Sequence, residues 1–188
     1  MQEEGKLAAP VADWETKRRW TDYAFNELEA AGYTIGSAYT AVKDKAKTAF
    51  EYRDQLWAGA DLLSLGVASF GHIGGTHYQN LHDFDPYVEH INNGELPIYR
   101  ALTPSDDERL IREFILQLKL GSVSLKYFRD KFGADPATRF AEPLKCIEDW
   151  GFLTIEGDRI NINREGLLQI DRLLHEFFLP EHRNARYA

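Results

Sequence analysis

Cysteine is almost absent from this chain. Cys146 is the only one, so no intrachain disulfide can form. One copy cannot build a zinc site of three or four thiolates, nor an iron–sulfur cluster held by three or four cysteines. Positive charge is also short: 22 Lys and Arg face 30 Asp and Glu, a formal net charge of −8. Wholesale nucleic-acid binding needs a basic footprint, and that surplus is missing. No apolar run is long enough to cross a membrane as a helix. The opening MQEEGKLAAP is polar and small and does not read as a secretory leader. A soluble, cytoplasmic protein with no membrane and no nucleic-acid partner is therefore expected. The phosphate-binding pattern G-x-x-x-x-G-K-S/T and the nucleophile pattern G-x-S-x-G are both missing.

What is present is apolar and aromatic material sufficient for a core, in a chain sized for one domain or a partial domain with an appendage. Residues 1–12 read as a flexible lead. Trp20, Tyr23, Ala24, Leu28 and Ala31 recur at helical spacing. They predict an amphipathic helix over Trp14–Ala31, capped by Asp13 and stopped by Gly32. Tyr33–Val42 is rich in β-branched and aromatic residues and predicts a strand. Residues 43–48 are a charged connection, followed by an extended piece through Phe50, Tyr52 and Arg53. Beyond Asn80, a short helix is expected with Asp85 as cap and Pro86 first. Leu96–Leu102 then reads as an extended linker and domain boundary, dividing 13–95 from 96–188.

From there the pattern is that of a small module. Thr103 and Pro104 open a helix whose apolar face is Leu110, Ile111, Phe114, Ile115 and Leu118, ending at Gly121. Ser124 or Ser122 caps a second helix ending at Gly133. Asp135–Pro136 opens a third that runs to Trp150, with Pro143 bending or restarting it. Residues 152–156 and 159–163 form a hairpin around Gly157, and Asn163 caps a last helix. Helix, helix, helix, hairpin, helix is winged-helix order. The third helix carries Arg139 and Lys145 against Glu142, Glu148 and Asp149, which disfavours a DNA-reading surface.

The densest chemistry lies in LLSLGVASFGHIGGTHYQN, Leu62 to Asn80. Leu62, Leu63, Leu65, Val67 and Ala68 read as a parallel strand covered on both faces. The strand leads into a glycine- and histidine-rich loop, where α/β folds place ligands. His72, His77 and His82 recur at intervals of five; in an irregular loop three imidazoles can converge on a metal or a haem iron, or simply bond loop carbonyls. His77, Tyr78, Gln79 and Asn80 suit hydrogen-bond recognition of a polar ligand. Arg53 or Arg100 beside His77 suits a carboxylate. Cys146 reads as a small buried hydrophobe rather than a nucleophile.

Gly66-Val67-Ala68-Ser69-Phe70-Gly71, followed by Tyr78-Gln79-Asn80, resembles the last barrel strand and following loop of oxygen-independent coproporphyrinogen III oxidase and its radical-SAM relatives. The resemblance runs from about Asp13 to Arg183. It implies a fold of mixed α+β and α/β class: the last helix–strand segments of a radical-SAM partial TIM-like barrel, then a mostly helical, winged-helix-like domain. It implies an oxidoreductase acting on a tetrapyrrole. There, S-adenosylmethionine cleaved at a [4Fe–4S] cluster yields a 5′-deoxyadenosyl radical, which takes hydrogen from a propionate that then decarboxylates to a vinyl group. By this resemblance Phe70, with Gly66, Ala68 and Ser69, faces the S-adenosylmethionine, and His77 to Asn80 lie near the substrate. The family's cluster loop, C-x-x-x-C-x-x-C, is missing, so the chain reads either as the carboxyl-terminal part of such an enzyme or as a remnant without the cluster. No bound cofactor and no catalysis are expected of the chain alone. The alternatives are a cluster-free haem- or porphyrin-binding or partner-docking module, with His72 and His77 as candidate ligands, and a winged-helix regulator. A partial barrel also exposes strand edges, so self-association is expected.

Overall fold

The computed structural model describes residues 11–183; residues 1–10 of the expected lead lie outside that range. The chain opens on α1 (Trp14–Ala30), where the Asp13 carboxylate accepts from the Thr16 amide at 2.7 Å. Gly32, at φ +84°, ends the helix as expected. The predicted strand Tyr33–Val42 is instead a tight hairpin, β1 (Thr34–Ser37) and β2 (Thr40–Val42). The expected extended piece around Arg53 is a helix, α2 (Glu51–Trp57). Its charged residues carry no strand alternation, and seven residues leave too little periodicity to read.

The largest departure concerns Leu62–Ala68, which is not a parallel strand. Gly66 at φ +96° and Ala68 at φ +59° break the extended backbone. Leu63 and Leu65 are 68% and 80% exposed. The glycine-rich stretch after it, expected as a loop, is the regular part. β3 (Phe70–Ile73) and β4 (Thr76–Asn80) form a hairpin closed by Gly74 and Gly75, both at positive φ. A two-residue turn with that backbone matches the natural twist of paired strands. After α3 (Phe84–Asn92), the expected linker is a strand, β5 (Ile98–Leu102), completing an antiparallel sheet ordered β3-β4-β5. Every strand pairing among the described residues is antiparallel. The expected helix–strand steps of a parallel barrel are therefore absent there. Alternating helix and strand in sequence does not distinguish a crossover from a hairpin, because only pairing partners decide it. The α3 cap position is Asp83, not Asp85, and Pro86 falls third, where the first-turn amides have no intrahelical acceptor anyway.

The carboxyl-terminal half holds the core. α4 (Asp106–Leu118) is capped by Ser105, not Thr103. The Ser105 hydroxyl accepts from the Glu108 amide while the Glu108 carboxylate accepts from the Ser105 amide. A short strand, β6 (Ser122–Ser124), follows, then α5 (Leu125–Phe132), capped by Ser124 and ended by Gly133 in the left-handed region. The third helix is restarted as expected: α6 (Pro136–Arg139) and α7 (Ala141–Asp149) meet at Phe140, with Pro143 in the first turn of α7. β7 (Leu153–Glu156) and β8 (Arg159–Ile162) form the hairpin, with β8 between β6 and β7. Asn163 caps α8 (Arg164–Leu167), and the chain continues through α9 (Ile170–Leu173) and a 3-10 turn at Leu174–Phe177.

Phe114 sits at the centre of this core, fully buried, its ring 4.8 Å from Phe140, 5.2 Å from Phe177 and 5.6 Å from Phe128. Each buried ring contributes about 1.5–3 kcal/mol. Of the contiguous core cluster, only Ala38 comes from before α4, while Phe25 and Val42 are buried outside it. The amino-terminal half is tied on by polar contacts instead. Glu113, on α4, is buried; its carboxylate accepts from Lys131 Nζ at 2.8 and 2.9 Å and from the Tyr127 hydroxyl at 2.7 Å. Lys131 also donates to the Ala58 carbonyl at 2.7 Å, and the Tyr127 hydroxyl, its proton on Glu113, lies 3.1 Å from the same oxygen. Gly59 is required beside them: a Cβ there would lie 2.1 Å from Glu113 Oε1.

Candidate functional site

The sheet β3-β4-β5 carries most of the predicted site residues, and its register sorts them by face. Phe70, Gln79 and Arg100 stand side by side, as do His72, His77 and Leu102, so these six share one face. Tyr78 points to the other. There it runs beneath Gly71, where a Cβ would lie 2.2 Å from the tyrosine ring.

Tyr78, Gln79 and Asn80 all bond to the segment Leu62–Ser69. The Tyr78 hydroxyl accepts from the Ser64 amide at 2.9 Å, and Asn80 Nδ2 donates to the Gly66 carbonyl at 3.0 Å. Gln79 Nε2 donates to the Ala68 carbonyl at 3.3 Å and its Oε1 accepts from Arg100 Nε at 2.8 Å. Tyr87 on α3, absent from the predicted set, accepts from the Gly66 amide at 3.0 Å. A lone tyrosine on an amphipathic helix gives no sequence signal for that role. Ser69 Oγ closes the turn on the Leu65 carbonyl at 2.8 Å. The segment is thus irregular but pinned at both edges, and Ala68 is held in a left-handed conformation that costs a non-glycine residue on the order of 1–2 kcal/mol. What it presents outward is apolar: Leu63, Leu65, Val67 and Phe70, the last 59% exposed. The result is a rigid apolar shelf whose backbone at Gly66, Ala68 and Ser69 is bonded into the surrounding fold.

The three histidines do not converge. His82 is exposed, beside Asp83 and edge-on to Tyr99. His72 and His77 are cross-strand neighbours whose ring centroids lie 4.4 Å apart. Burial, followed by the Arg112 charge, lowers the His72 pKa. Burial, then Arg112 and then His72, pushes His77 down to about 4. Both imidazoles are neutral near neutral pH. Among the described residues no three His, Cys, Asp or Glu side chains gather as a metal site. Arg53 is engaged away from His77, with Asp54, Ser37 and Thr40. Arg112, on the flank of α4's apolar face, was not in the predicted set; an arginine between Ile111 and Glu113 reads from sequence as a solvated edge. Cys146 on α7 is part-buried and is the one thiol of this sequence, so the residues present do not fit a [4Fe–4S] cluster.

A carboxyl-terminal core of helices and a three-stranded sheet, preceded by a sheet bearing this shelf, makes this a mixed helix-and-sheet protein. Residues 105–168 match the family model described as the HemN C-terminal domain. This match and those that follow support a likeness to the carboxyl-terminal part of HemN-like proteins. It is 27% identical to the oxygen-independent coproporphyrinogen III oxidase of Pseudomonas aeruginosa, over 97% of this chain and 42% of that protein. It is 28% identical to the enzyme of that name from Helicobacter pylori, over 61% of this chain and 26% of that protein. In fold it resembles coproporphyrinogen III oxidase (HemN) from Escherichia coli, a radical SAM enzyme. The TM-score is 0.72 and the identity 17%, covering 91% of this chain and 43% of that one. The chain thus spans less than half the length of these relatives. No described helix is long and apolar enough to cross a membrane.

Proposed function

We propose that this chain serves as the carboxyl-terminal part of a coproporphyrinogen-oxidase-like radical-SAM oxidoreductase, supplying one wall of a pocket for a tetrapyrrole. The observation that carries this reading is the pinned apolar shelf. Leu63, Leu65, Val67 and Phe70 stand exposed on a segment held by Tyr78, Asn80 and Tyr87. Exposed apolar side chains on rigid backbone fit a surface covered by another body. In this reading Phe70, with the backbone of Gly66, Ala68 and Ser69, holds S-adenosylmethionine through apolar surface, and the cofactor supplies the hydrogen-abstracting radical when the cluster lies in the remaining part of the enzyme. His77 stands on the same sheet face as Phe70, and Tyr78 to Asn80 fix the shelf rather than meet substrate directly. In this reading the module of residues 96–188 is a winged-helix-like cover. The cations flanking its third helix and hairpin are paired with acids: Arg129 with Asp135 and Asp158, Arg139 with Asp107, and Lys145 with Asp149. That pairing favours a structural role over phosphate binding. The open edge of β5, exposed along its whole length, is where the chain alone would self-associate.

A chimera tests the proposal. In the Pseudomonas aeruginosa relative, the segment matched by this chain is replaced with it, and coproporphyrinogen conversion is measured anaerobically. The chimera should turn over, and Phe70→Asp should lower the rate at least tenfold without loss of fold. A folded chimera whose Phe70→Asp form is as active as its parent would overturn the reading.

A further inference from the structure

Arg112 is half-buried and, among the described residues, its guanidinium makes no hydrogen bond and no ion pair. It lines two recesses at once. One is a cavity of about 210 Å³ between the β3–β4 turn and α4, shared with Arg109, His72 and the Gly74–Gly75 turn. The other is an apolar recess of about 290 Å³, shared with His77, Leu102, Ile115 and Phe178. Two carboxylates also border the first cavity, and both are engaged. The Asp61 carboxylate accepts from the Gly74 amide at 2.9 Å, and Glu113 is held by Lys131 and Tyr127. Two of its lining residues carry polar groups left over among the described residues: Arg112, with its guanidinium, and His72, only 6% exposed, whose buried Nδ1 has no hydrogen-bond partner. Buried polar groups are almost always bonded, so an orphan beside an unpaired guanidinium calls for a ligand. Arg109 adds a second cation one turn away, bound only through Nη1 to the exposed Asp106. Gly75 stands beside that guanidinium, where a Cβ would make an ordinary 3.6 Å contact with Arg109 Cζ; it is the turn's φ of +81° that calls for glycine.

We propose that this cavity binds an oxyanion, a carboxylate or a phosphate, between Arg112, Arg109 and the His72 imidazole. The two guanidiniums provide charge and planar forks suited to paired oxygens, and imidazole Nδ1–H adds a third donor. The apolar recess on the other side of Arg112 would admit the body of an acid that is apolar beyond its oxyanion. The inference stands apart from the proposed function, because it needs neither the shelf nor S-adenosylmethionine.

The full chain is titrated with sodium phosphate and, separately, with sodium propionate, each against sodium chloride at equal ionic strength. Binding is followed by the NMR shifts of the Arg112 Nε–H and the His72 ring. Saturable shifts with one of the two anions, absent with chloride, are expected, and the stronger arm identifies phosphate or carboxylate as the preferred chemistry. Arg112→Gln should weaken binding at least tenfold while Arg159→Gln, on the distant hairpin, leaves it unchanged. If Arg112→Gln does not fold, the wild-type shifts decide alone. Shifts no larger than those with chloride, or binding retained in a folded Arg112→Gln protein, would refute the site.

Discussion

Replacing Lys131 by Met should destabilise this protein more than replacing Glu113 by Gln, although the two residues are partners in one ion pair. The Glu113 side chain is 4% exposed and that of Lys131 is 34% exposed. Losing the lysine strands a buried carboxylate with the Tyr127 hydroxyl as its remaining donor, and an uncompensated buried charge of that kind costs about 3–5 kcal/mol. Losing the carboxylate's charge leaves an ammonium that can reach water and still donates to the Ala58 carbonyl at 2.7 Å. The neutral amide introduced by Glu113→Gln keeps an acceptor for Tyr127. Its cost should be nearer 1–2 kcal/mol, roughly the size of a charged hydrogen bond exchanged for a neutral one. The double variant should recover part of the Lys131→Met loss, giving a coupling on the order of 1–2 kcal/mol. Urea denaturation of the four proteins, extrapolated to water, measures all three quantities. Equal losses in the two single variants, or a larger loss for Glu113→Gln, would refute the argument that burial of the acid makes this contact costly to break.

Two further outcomes follow from the site. Tyr78→Phe removes the acceptor of the Ser64 amide, so amide exchange at Ser64 should accelerate with a stability loss of about 1–2 kcal/mol; unchanged exchange would show that the phenol does not hold the shelf. His77, with its pKa held near 4 in the fold against an ordinary 6.5, binds fewer protons folded than unfolded. Its contribution is therefore complete above pH 6.5 and lost as pH falls toward 4, on the order of 1–2 kcal/mol after discounting for solvent screening. His77→Gln should flatten the stability profile between those values, and a variant with the parent's slope there would count against the burial argument.

Local signals in the sequence were sufficient at several element ends, although α3 and α4 are capped by Asp83 and Ser105 rather than Asp85 and Thr103. Asp13, Ser124, Gly133, Asn163 and the Gly157 turn act through backbone groups within a few residues, and each element end falls where those residues put it. The helical spacing of Leu110, Phe114 and Leu118 likewise placed α4's buried face. The resemblance carried by Gly66–Gly71 and Tyr78–Asn80 pointed to the same proteins that the whole chain is similar to. The same residues misled about local form. An apolar run such as LLSLGVA is compatible with a covered strand or an exposed shelf. Hydrophobicity records a preference for burial but not what lies alongside. Only the tertiary structure decided that Tyr78 and Tyr87, 14 and 21 residues away from the amides they accept from, pin that run in an irregular form. It alone decided that His72 and His77 meet each other but not His82, and that Arg112, unremarkable on its helix, stands unpaired between two recesses. Caps and turns close within one turn of chain and are written in sequence. Which strand finds which partner, and which charge is left without one, depends on distances the sequence does not contain.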